Sequence, residues 1–174
     1  MQAMTALRQG LTTGDEQAGF RRGVVGWILM VVSGLSALNS TYVFLGTLKT
    51  GVIGWLMMNT CAPSIALFVA GFLLGSPVVM VAASVLMMRY GTGGLFVFDW
   101  RGYNLYAQAG HVLMTLAVIY VLVESVKHGR WRALTLGAAL GVAILVPLTI
   151  LQTAWFNAHP GMLEMLFSGT YPMQ

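Results

Sequence analysis

The sequence predicts an all-α fold: a polytopic integral membrane helical bundle of about five transmembrane helices. A Gly-rich segment follows the third helix and reads either as re-entrant or as an interfacial loop. Three observations lead there. Of 174 residues, 57% are hydrophobic and 8% charged, and the mean hydropathy is +0.78, whereas a soluble domain carries about 25% charge and about 45–50% apolar residues. A chain so poor in charge cannot cover its own surface in water, so hydrocarbon must be the solvent for most of its length. The apolar residues also fall into runs near the ~20 residues needed for one crossing, separated by short polar, basic or Gly/Pro stretches.

Residues 1–22 are polar to mildly amphipathic, contain Asp15 and Glu16, and end in Arg21 and Arg22. They lack the basic, apolar and small-residue order of a cleaved signal peptide and read as a retained tail. Residues 24–46 form an uncharged first span. Residues 51–75 form a second, interrupted at Thr60-Cys61-Ala62-Pro63, where the proline removes a backbone donor and is expected to kink the helix. Span 3, residues 76–90, opens on Ser76-Pro77, with proline in the first turn, where it costs least. Gly91-Thr92-Gly93-Gly94 is expected to stop that helix, and residues 99–103, with Trp100 and Tyr103, to lie at an interface.

Span 4 covers residues 105–126 and span 5 residues 133–156, with Pro147 inside. Residues 157–174 form a tail too short and too broken to cross. The transmembrane domain is thus residues 23–156. Counting Lys and Arg on alternate sides of five spans sets Arg8, Arg21, Arg22, Lys127, Arg130 and Arg132 against Lys49, Arg89 and Arg101. That asymmetry predicts a multi-pass cell-membrane protein with a cytoplasmic N-terminus and an extracytoplasmic C-terminus.

Placing the spans side by side at about 1.5 Å per residue assigns each polar residue a depth. Asn39, Ser40 and Thr41 of span 1 then share a level with Asn59, Thr60 and Cys61 of span 2 and with Arg89 of span 3. Asn104, Gln108 and His111 of span 4 and Thr149, Gln152 and Thr153 of span 5 complete the layer. Polar groups in hydrocarbon are expensive unless they face the bundle interior, a partner or water. The layer predicts a cavity open to the extracytoplasmic side and capped by residues 91–103. The alternative is ordinary interhelical glue, worth about 0.6 kcal/mol per hydrogen bond.

The candidate ligand-binding residues are therefore Asn39, Asn59, Arg89, Asp99, Arg101, Asn104, Gln108, His111 and Gln152. Arg89, Asp99 and Arg101 can clamp an anionic group or pair with one another. His111 shares a helical face with Gln108 and Met114 and suits a haem ligand, a metal ligand or a proton-handling group; a hydrogen-bonded packing histidine is the plainer reading. Met57 and Cys61 can share a face of span 2 and, with His111 and Met114, are weak candidates for a soft Cu(I) site. Methionine is equally common as adaptable filler.

One cysteine excludes an intrachain disulfide and a Cys-rich metal site. The glycine run lacks the strand before it and the Lys-Ser/Thr after it that a phosphate loop needs. Gly71-x-x-x-Gly75 and Gly137-x-x-x-Gly141 permit close helix packing, within the bundle or in a homo- or hetero-oligomer. No catalytic constellation, nucleotide motif or nucleic-acid signature is present. The expectation is a protein that binds or passes a small solute or ion, as a transporter or the membrane subunit of one. The alternatives are a haem- or quinone-binding redox subunit, with His111 beside Trp100, Tyr103 and Trp155, or a non-catalytic accessory subunit.

Overall fold

A computed structural model describes residues 22–101 and 104–168. The expectations on residues 1–21, on Gly102 and Tyr103 and on residues 169–174 lie outside them. The chain is an all-α membrane bundle. Helix α1 (Val24–Tyr42) ends in a π-helical turn, Val43–Thr47. Helices α2 (Gly51–Met58) and α3 (Cys61–Leu74) follow, then α4 (Pro77–Met87), a second π-helical turn (Met88–Thr92) and the single turn α5 (Gly94–Val97). The long helices α6 (Asn104–Lys127) and α7 (Trp131–Ala158) precede α8 (Pro160–Ser168). Four stretches are long and apolar enough to cross a membrane, and a fifth if α2 and α3, bent by 80°, count as one broken span.

The second span breaks one residue before the expected place, and proline is not the cause. The backbone leaves the helix at Asn59 (φ −126°, ψ 46°). Pro63 occupies the third position of α3, where an N–H has no intrahelical partner to lose.

The glycine run corrects a second expectation, because it does not stop the helix. Residues 77–97 continue through the π turn as one apolar stretch. The glycines serve close approach instead. A Cβ at Gly91 would lie 2.6 Å from Met114 Cβ, and one at Gly94 2.5 Å from His111 Cε1. Spaced three apart, they bring this helix onto α6. Thr92 and Thr115 fix the contact with a 3.0 Å hydroxyl pair, and Thr115 donates to His111 O (2.9 Å).

The core lies between α3, α4 and α6, where Phe68, Phe72, Met80, Met87, Met114 and Val121 are fully buried. Helix α7 packs along α4 through a glycine seam. Cβ atoms at Gly137 and Gly141 would sit 2.6 and 2.7 Å from Val81 Cβ and Val85 Cβ, so the two backbones nearly touch. The oligomer expected on this small-residue face is not needed to explain it, since α4 occupies the face. Gly71 likewise packs on Val79 and Met80 of α4. Gly75 differs from these in closing α3 at φ +66°, with Gly75 N donating to Phe72 O (3.1 Å) and Ser76 N to Gly71 O (2.9 Å). At the same end of the bundle Arg22 donates to Leu73 O (2.6 Å), and His128 pairs with Glu124 (3.4 Å).

Candidate functional site

At the other end of the bundle, α1, the α2–α3 break, the π turn after α4, α6, α7 and α8 surround a cavity of about 440 Å³. Both π turns and the break contribute to its wall, through Val43, Phe44, Asn59, Thr60 and Tyr90. Irregular backbone at membrane depth persists only where protein or a cavity satisfies it, and single π turns concentrate at functional sites. Every departure from α-geometry inside the long apolar stretches described thus falls on one cavity.

Of the residues expected from the sequence, Asn39, Asn59, Asn104, His111 and Gln152 line it, as do Cys61 and Met114. Gln108 lies just behind, fully buried, holding His111. Met57 is buried in the core and not part of the wall; its neighbour Met58 is. Arg89, Asp99 and Arg101 lie outside the lining, at the surface of the bundle. Arg89 sits over the Tyr90 ring at 5.9 Å. Arg89 is exposed, and its neighbour Tyr90 is the residue of the π turn that lines the cavity. No Asp, Glu, Lys or Arg among the described residues lines the cavity.

Part of the polar lining serves the broken backbone. At the end of α2, Thr60 Oγ1 donates to Leu56 O (3.1 Å), and Gln152 Nε2 donates to Met57 O (2.6 Å) and Thr60 Oγ1 (3.2 Å). A glutamine of α7, 95 residues away in sequence, therefore caps a carbonyl that the break releases. Gln108 Nε2 does the same beyond α5, donating to Phe98 O (2.6 Å) and Gly94 O (3.4 Å). The Cys61 thiol donates to Tyr90 O (3.7 Å).

The Gln108 amide also assigns the histidine tautomer. Its nitrogen is committed to carbonyls, so its Oε1 accepts, and His111 Nδ1, at 3.0 Å, carries the proton. The lone pair of Nε2 then faces Cys61 Sγ at 3.6 Å. Phe98 stacks on the imidazole (5.5 Å, 25°), and Gly94 backs it.

Two buried atoms of the described lining residues remain without a partner, Asn59 Nδ2 and Tyr90 Oη. Tyr90 is absent from the sequence candidates; its place beside the glycine run is the available signal. Residues 91–103 supply only part of the cap. Besides Phe98, helix α8 closes the cavity: Leu166 lines it, Asn104 Nδ2 donates to Phe167 O (3.2 Å), and Phe167 packs on Phe98 (5.5 Å). The described part of the tail, α8, is a mostly exposed helix lying on the bundle, with Leu166 reaching the cavity wall.

For a cofactor, His111 Nε2 is the one imidazole nitrogen on the described wall. His159 stacks on Trp155 (4.5 Å), and His128 is at the opposite end, so neither joins His111 in a bis-histidine site. Set against known proteins, the chain matches no family model, no curated protein and no solved structure.

Proposed function

We propose that the protein binds a small uncharged solute bearing a hydrogen-bond acceptor, as a compact transporter or the membrane subunit of one. The single observation that carries this reading is the pair of buried, unpartnered donors, Asn59 Nδ2 and Tyr90 Oη, on residues of one wall. A buried donor left unmade costs about 1–3 kcal/mol, so two of them on residues of one wall favour an occupant with acceptor oxygens. The absence of charged side chains from the described wall favours an uncharged solute over an ion. The volume suits a small organic molecule, since ligand sites run to about 300–1,000 Å³. On the Lys and Arg asymmetry the cavity opens to the extracytoplasmic side.

The test is thermal unfolding of detergent-purified protein with acetophenone and benzamide as uncharged carbonyl probes. Benzoate and benzylammonium serve as charged controls of similar size. The uncharged pair is expected to raise the melting temperature, and the Asn59→Leu/Tyr90→Phe variant to lose that rise. Equal shifts from the charged pair, or an undiminished rise in the double variant, would overturn the reading.

A second reading, a quinone site in a redox complex, draws support from the ring stack of Phe98 on His111 beside two donors suited to quinone carbonyls. A decyl-substituted benzoquinone in the same assay separates the two. It should outcompete acetophenone by more than tenfold if a quinone is the natural occupant.

A further inference from the structure

The wall of the cavity holds a second arrangement that an uncharged organic solute does not use. His111 Nε2 and Cys61 Sγ stand 3.6 Å apart. At bond lengths of about 2.3 Å to sulfur and about 2.0 Å to nitrogen, two ligands of one d10 ion at a tetrahedral angle are roughly 3.5 Å apart. Nitrogen and sulfur therefore already have the spacing of two neighbouring ligands.

The imidazole is also held as a ligand needs to be. Gln108 Oε1 takes the Nδ1 proton, the Gln108 amide is itself fixed on Phe98 O, and the ring is clamped between Phe98 and Gly94. Metal-bound histidines are oriented by such an acceptor on the far nitrogen. The thiol donates to Tyr90 O, which leaves the Nε2 lone pair free toward the sulfur.

We infer that Cys61 and His111 form a site for a soft monovalent cation, Cu(I), completed by a thioether from Met114 or Met58. Two features select this ion. Among the described residues no third His, Cys, Asp or Glu joins the pair. The further soft donors on the wall are the thioethers of Met58 and Met114, which suit Cu(I) and are poor ligands for Zn(II). Charge points the same way. Binding displaces the thiol proton, Cys–SH + Cu⁺ → Cys–S–Cu + H⁺, so the complex is neutral; a divalent ion would leave a net positive charge in an uncharged, largely apolar wall. No electron is transferred, and copper is taken up already reduced.

The experiment titrates detergent-purified protein anaerobically with Cu(I) against bicinchoninate, and with Ag(I) as a redox-inert probe. One Cu(I) per chain should bind, with at least a 100-fold loss in Cys61→Ser and a smaller loss in Met114→Leu. X-ray absorption on the wild-type complex, which depends on no variant folding, should show both a nitrogen and sulfur around copper. Failure to compete for Cu(I), wild-type affinity in Cys61→Ser, or a sulfur-only shell would each overturn the assignment. The acetophenone assay with Asn59→Leu/Tyr90→Phe reads different atoms, so either proposal can fail while the other stands.

Discussion

The two ends of the bundle solve the same problem, backbone in hydrocarbon, in opposite ways. Along α4 and α7, glycines at 137 and 141 let the two helices approach until backbone meets side chain, and the chain keeps its α-helical path through the seam. Around the cavity, the chain breaks once and loosens into π turns twice, and side chains from distant elements replace the lost bonds. Space is removed at one end and created at the other. The difference shows where the sequence has accepted structural cost, and the cavity is what it gained.

The glycine seam should be the least forgiving place. In Gly141→Leu the first added carbon would already lie 2.9 Å from Ala82 O, a backbone atom that cannot turn aside. A loss of about 3 kcal/mol or more is expected in reversible unfolding in detergent micelles. A milder effect would show that the two helices can part without harm, and the contrast between the ends would collapse.

At the cavity end, Gln152→Leu should cost about 2 kcal/mol, because it leaves Met57 O without its donor. Hydrogen exchange should rise at the α2–α3 break and stay unchanged along α4. Uniformly raised exchange would mean the cap serves the bundle at large. Gly94→Ala should cost about 1 kcal/mol and displace the imidazole, whose Nδ1 lies 2.6 Å from the added carbon. Nitrogen NMR of His111 would read it as loss of the Nδ1-protonated tautomer. Smallest of all, Asn59→Leu should leave stability unchanged or slightly higher in the empty protein, since it removes a donor that has no partner. A marked loss would give Asn59 a structural duty and remove it from the proposed site.

Much of this contrast is legible in the sequence. Depth arithmetic on apolar spans places Asn39, Asn59, Asn104, His111 and Gln152 at one level, and they line one cavity, because helical rise fixes depth well. It cannot fix rotation about the helix axis, which is why the layer takes in Arg89 and passes over Tyr90. Glycine misleads for a related reason. In water, Gly91, Gly93 and Gly94 would end a helix, but in a membrane the unmade hydrogen bond costs more than the entropy glycine adds, so the helix continues and the missing Cβ serves packing. Gln152 capping α2 from 95 residues away is beyond reach, because pairing between distant elements leaves no local pattern.

The 80° bend at Asn59 also sets a length. Helix α3 has 14 residues, so it rises about 21 Å, short of a hydrocarbon core of about 30 Å. Helices α6 and α7, with 24 and 28 residues, are long enough for the full thickness. The bundle therefore presents lipid with a tall side and a short side. On the short side the acyl chains must compress, or α2 must lie within a leaflet with its exposed Val52 and Ile53 against lipid tails. Bilayer thickness thus bears on the break that forms one wall of the cavity, and lipids of shorter acyl chain should lessen the mismatch on the short side.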